Sequence, residues 1–173
     1  MMTDAATAGE DDYSGLLGAF RYSFRVSDSL VFRLYVLLSF VLGVILGFAF
    51  VLALVRWFYL TLGHSALETT SNAFLGVIAL FVLGPLFAPV LFVARRHRRD
   101  EGEDARYDTI LALSGVLFLL SLYVGVIISV PAQYQSANAG ALGSFLYSLP
   151  QLSGLVPPIV SALFIYALHR FLK

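Results

Sequence analysis

The sequence has no cysteine, and that single absence removes disulfides, thiolate metal ligands and cysteine nucleophiles together. Charge is also scarce. Charged residues make up 13% of the 173 positions, and 11 basic residues cancel 11 acidic ones, so no net field recruits nucleic acid or an anionic surface. No basic stretch precedes the first apolar run. Asp4, Glu10, Asp11 and Asp12 come first, which predicts a retained span rather than a cleaved secretory signal. Histidine is limited to His64, His97 and His169.

What the chain has in excess is apolar side chain. A hydrophobic content of 59% and a mean hydropathy of +0.84 exceed what a soluble domain of this length can bury. A bilayer must supply the remaining burial. The pattern predicts an all-α protein, a four-helix transmembrane bundle preceded by an amphipathic interfacial helix, with residues 1–13 as a disordered acidic tail and 14–173 as one membrane domain.

Along 14–26, Leu17, Phe20 and Phe24 recur at helical spacing while Arg21 and Arg25 line a neighbouring face. Two placements fit: apolar side in lipid with the arginines toward headgroup phosphates, or a helix packed on the cytoplasmic ends of the bundle. Asp28 or Ser29 is positioned to cap the next helix. Four spans follow at about 34–55, 73–94, 109–130 and 152–171, each near the length that crosses about 30 Å of hydrocarbon. Arg56, Trp57 and Tyr59 anchor the end of the first, and Pro131 closes the third. The uncharged connection between the last two has room for a short helix near 142–149, and Pro150, Pro157 and Pro158 interrupt the start of the fourth.

Topology follows from lysine and arginine. The N-terminal region holds three, the first connection one, the second five, the third none and the C-terminal end two, which gives ten to one in favour of both termini in the cytoplasm. Arg95, Arg96, Arg98 and Arg99 dominate that count and are also placed to meet anionic headgroups.

Intramembrane ionisable residues mark ion paths and catalytic sites, and every ionisable residue here falls in a tail, a connection or near a span end, with Asp108 and His169 at interface depth. The span count resembles that of the small multidrug transporters, but the embedded carboxylate those proteins use has no counterpart. The stretch from Glu101 through Arg106 to Gly115 resembles the start of the CDP-alcohol phosphotransferase signature. It departs from it at Glu101, Leu119 and Tyr123, where that family has metal-holding aspartates. Ser114-Gly115 and Ser153-Gly154 have no histidine expected at membrane depth to activate them. The three histidines are assigned to different helix ends and are expected to be solvated or interfacial, forming neither a dyad nor a zinc site.

Packing signals are clearer. Ser39, Gly43 and Gly47 stack at four-residue intervals in the first span, Ser121, Gly125 and Ser129 do so in the third, and Gly76, Gly84 and Ala88 lie in the second. Such seams hold a bundle together or join it to another copy or another membrane protein. Pro85 and Pro89 predict a kink in the second span.

In composition the whole chain resembles uncharacterised small four-span integral membrane proteins of halophilic archaea, with ten arginines to one lysine, an acidic start and alanine-, glycine- and valine-rich spans. The resemblance implies a cell-membrane location and no assigned activity. The expected role is a non-enzymatic auxiliary or assembly component with no catalytic residue, cofactor, metal or nucleic-acid partner. The alternative is a channel or transporter for a small or apolar solute, with Ser114, Ser121, Tyr123 and Ser161 lining the path.

Overall fold

A computed structural model describes residues 15–61, 66–99, 105–136 and 139–172, with side chains described outside 57–61 and 66–80. The acidic tail, the connection holding His64 and the acidic run 100–104 therefore lie outside the described residues. The described residues are helical with no strand: α1 Gly15–Val26, α2 Leu30–Thr61, α3 Ala66–Arg98, α4 Ala105–Ile128, α5 Gly140–Tyr147 and α6 Val156–Phe171, plus short 3-10 turns at Ala132–Tyr134 and Gln151–Leu155.

Three stretches are long and apolar enough to cross a bilayer: Leu30–Arg56, Ala105–Ile128 and Gln151–Phe171. That number refers to described residues. The expected span 73–94 falls within α3, whose side chains at 66–80 lie outside the description. The expected short helix of the last connection is α5, beginning at Gly140, whose φ of +69° suits glycine because no Cβ crowds the left-handed region.

Local chemistry fixes several boundaries. Ser29, not Asp28, caps α2: its Oγ accepts the N–H of Phe32 at 3.3 Å, three residues on. Ser29→Ala is expected to cost about 1 kcal/mol, read as a lower unfolding midpoint in mixed detergent micelles. Pro157 and Pro158 lie in the first turn of α6, where a missing N–H costs nothing, so they start that helix rather than bend it. Pro85 and Pro89 are inside α3, which continues through both. The missing N–H groups leave the carbonyls of residues 81 and 85 without their helical donors, and other carbonyls of the same stretch receive hydroxyls from neighbouring helices: Tyr35 Oη donates to the Leu86 carbonyl at 2.6 Å and Ser23 Oγ to that of Val90 at 3.1 Å.

The interior has two clusters. One gathers Phe20, Phe32, Tyr35, Val93, Tyr107 and Leu111 toward the end where α2 and α4 begin, and the other joins Leu86, Phe118 and Ile165 further along. Gly115 admits the Tyr35 ring, because a Cβ at 115 would collide with it. The outer surface stays apolar. Leu30, Leu34 and Phe48 on α2 are 74%, 68% and 65% exposed, the arrangement of a helix that presents one stripe to its neighbours and the rest to lipid.

α1 doubles back along the bundle. Phe20 meets the rings of Phe40 and Phe87 edge-on at 5.6 and 5.1 Å, Ser23 reaches Val90, and Ser27 reaches Asp108. Its inward stripe is therefore Ala19, Phe20 and Ser23, while Leu17 and Phe24 face outward beside Arg21 and Arg25. The sequence pattern groups Phe20 with Leu17 and Phe24. Packing divides them, because Phe20 meets the rings of Phe40 and Phe87 and Ser23 bonds the Val90 carbonyl on the α2–α3 side.

Candidate functional site: a buried polar cluster at one end of the bundle

The starts of α2 and α4 and the ends of α1, α3 and α6 converge, and their polar side chains meet there. Asp108 is the centre. Its side chain is 1% exposed, in the first turn of α4, and Oδ2 accepts the Ser27 hydroxyl at 2.5 Å. His97, 5% exposed and in the last turn of α3, places Nε2 3.1 Å from Oδ2 and 3.3 Å from Oδ1. A carboxylate buried among helices needs such partners, because an unpaired one costs several kcal/mol. Beside it, Ser29 Oγ and Thr109 Oγ1 are 2.7 Å apart, and Arg33 Nε donates to the Ser27 carbonyl at 2.8 Å. Arg33 also lies 3.8 Å from the exposed carboxylate of Asp28.

A second group adjoins the first through Tyr107, the neighbour of Asp108. The Tyr107 hydroxyl and His169 Nδ1 are 2.6 Å apart, and the His169 ring stacks on Phe92 with centroids 4.0 Å apart. The Arg96 guanidinium lies 4.1 Å over the Tyr107 ring and donates through Nη1 to the Leu172 carbonyl at 3.1 Å, close to the end of α6. Together these contacts tie α1, α2, α3, α4 and α6 at one end.

This corrects the expectation for the histidines. His97 is buried rather than solvated and His169 is half-buried, and although they close different helices, α3 and α6, those two ends lie together, so both enter this cluster. The signal was periodic. Leu86, Val90, Val93 and His97 fall at helical spacing along the buried stripe of α3, as do Asp108, Leu111, Gly115 and Phe118 along α4, so each ionisable residue continues an apolar stripe.

The arginines that close α3 divide in the same way. Arg95, Arg98 and Arg99 are exposed, whereas Arg96 turns inward to Tyr107 and Leu172. The small-residue seams also divide. Gly125 faces the Gly154 carbonyl and the Pro158 ring, Ser121 Oγ lies 2.6 Å from Ser161 Oγ, and Ser129 Oγ donates to the Gln151 carbonyl at 3.2 Å. That stripe lies against the last helical segment. Ser39 is buried, with its hydroxyl turned back to Val36, and Gly43 takes the Phe87 ring, while among the described residues nothing lies within 4 Å of a Cβ added at Gly47 or Gly84.

Of the hydroxyls considered as a path, Ser114 and Ser121 lie seven residues apart on the inward side of α4, and Tyr123 alone falls on the opposite side. Ser114 donates to its own helix at Leu111, Ser121 and Ser161 meet each other, and Tyr123 is 67% exposed on the outside.

A family model described as Domain of unknown function (DUF8056) matches residues 2–173, which takes in the whole cluster and both seams. The chain belongs to the DUF8056 family. No curated protein and no solved structure matches it. The chemistry open to the DUF8056 chain must therefore be read from its own geometry. Ser27 donates to Asp108 rather than to a histidine, so the order is serine, carboxylate, imidazole and not the serine, imidazole, carboxylate order of a hydrolase triad. What the arrangement does well is hold helix ends.

Proposed function

We propose that this DUF8056 protein is a four-span integral protein of the cell membrane, with both termini cytoplasmic, that serves as a non-enzymatic auxiliary or assembly component. The observation that supports this reading is the cluster itself: Ser27, Asp108 and His97 are directed at one another across three helix ends, an arrangement suited to holding the bundle together. The ten-to-one distribution of basic residues supports a cytoplasmic position for that end. A pre-formed bundle with an apolar outer surface is suited to docking against another membrane protein or a second copy, where close packing rather than hydrophobicity drives association.

The test is photo-crosslinking in the native membrane, followed by capture and mass determination. A reproducible adduct with one defined membrane protein, or with a second copy of the 18.9 kDa chain, is expected. A protein that stays a lone monomer in the membrane and in mild detergent would overturn the reading.

A further inference from the structure

The outward side of α1 differs from that of a helix facing water. Leu17, Arg21, Phe24 and Arg25 are all exposed and lie within about 100° of arc, given 3.6 residues per turn. Leu17 is 69% and Phe24 47% exposed, so large apolar groups and guanidinium groups share one stripe. Water suits the second kind and lipid chains the first; the boundary between acyl chains and phosphates suits both.

The stripe is cationic without internal compensation. α1 contains no acidic residue, and the nearest carboxylate after it, Asp28, pairs with Arg33. Carboxylates stand near both sets of arginines in sequence, but Asp12 is nine residues before Arg21, whereas Arg99 adjoins Asp100 directly and Glu101, Glu103 and Asp104 follow. Arg21 and Arg25 are one turn apart, which sets their Cβ atoms about 6 Å apart and lets both forks reach one phosphate or two neighbouring ones. The helix that presents them is held in place by Phe20 against Phe40 and Phe87, by Ser23 to Val90, and by Ser27 to Asp108.

We propose that Leu17, Arg21, Phe24 and Arg25 form a binding surface for the phosphate headgroup of anionic phospholipid in the leaflet at this end of the bundle. The proposal rests on the bilayer-spanning reading above. Arg21 and Arg25 grip the phosphate, while Leu17 and Phe24 lie along the acyl chains just below it. Arginine outperforms lysine here because its planar fork binds phosphate oxygens in pairs.

The experiment places the full chain in nanodiscs of equal phosphatidylglycerol and phosphatidylcholine, then counts by native mass spectrometry the lipids retained on release. Wild type is expected to retain the anionic lipid several-fold over the zwitterionic one. R21Q/R25Q loses that preference, R21K/R25K keeps part of it, and R98Q/R99Q keeps it nearly whole. Arg25→Gln alone, with an unfolding midpoint equal to wild type, gives an intermediate loss and guards against a folding artefact. Equal retention of both lipids by wild type, an unchanged preference in R21Q/R25Q, or an equal loss in R98Q/R99Q would overturn the proposal. A chain that enters no nanodisc would instead overturn the bilayer-spanning reading on which it depends.

Discussion

Asp108→Ala is expected to lower the stability of the bundle by about 2–5 kcal/mol, because each buried polar group left without its partner costs about 1–3 kcal/mol. The loss is large because two other groups are stranded by it. His97 and the Ser27 hydroxyl are both buried and both directed at Asp108, and each would be left without that acceptor. Asp108→Asn separates shape from charge. Its amide oxygen still accepts from Ser27 and its NH2 still faces His97, so the expected cost falls to about 1–2 kcal/mol. Unfolding in mixed micelles reads both values. A double-mutant cycle with His97→Ala isolates the pair, with a coupling of about 0.5–3 kcal/mol expected for residues in contact. Stability of Asp108→Ala within about 0.5 kcal/mol of wild type would mean that water, not protein, satisfies the cluster.

The second large effect is expected at Gly125. A Cβ there would overlap the Gly154 carbonyl and press on Pro158, and a backbone carbonyl has no rotamer by which to escape. α4 and the Gln151–Leu155 turn must then separate, taking with them the Ser121–Ser161 and Ser129–Gln151 bonds. Gly125→Val should cost about 1–3 kcal/mol or more by overpacking. Gly125→Ala should also destabilise, although alanine is the better helix former. Gly47→Ala supplies the contrast: nothing among the described residues lies within 4 Å of the added methyl, so a neutral or slightly stabilising result is expected. Thermal melts of the three variants in one detergent measure the order, and equal effects at 47 and 125 would contradict the assigned packing.

The difference between these two glycines shows what a sequence can and cannot tell. Spacing alone puts Gly43, Gly47 and Gly125 in similar stripes, because small residues every fourth position always align on one helix face. Which stripe meets a partner, and whether the partner is a ring or a carbonyl, depends on the rotation and depth of the opposing helix, which no local pattern encodes. Helix positions were legible for a simpler reason. Long charge-free runs can satisfy their backbone only by helix, and Ser29 and Pro131 mark two of the boundaries.

The polar cluster escaped a hydropathy reading because hydropathy divides residues into span and connection, while the helices extend past the hydrocarbon. α4 starts at Ala105, four residues before the apolar run, and α3 continues to Arg98, so Asp108 and His97 are helical and face inward at positions that look like loop. Arg96 follows the same logic. Counted as a headgroup contact from its neighbours, it lies one helical step round from Arg95, toward the Tyr107 ring. Amphipathicity misassigned Phe20 for a related reason: the α2–α3 surface is itself apolar, so the side of α1 that packs cannot be told from the side that meets lipid by hydrophobicity alone.

The proposed topology puts the Asp108 cluster and the end of α6 on the cytoplasmic side and the last connection outside. Because the sequence has no cysteine, a single introduced thiol reports unambiguously on its own position. Gln133→Cys, Ala105→Cys and Phe171→Cys place that thiol at exposed sites in the last connection, at the start of α4 and at the end of α6. In intact cells treated with a membrane-impermeant maleimide, labelling is predicted at 133 alone, with 105 and 171 labelled only after permeabilisation. Labelling of 171 before permeabilisation, or protection of 133, would contradict the account.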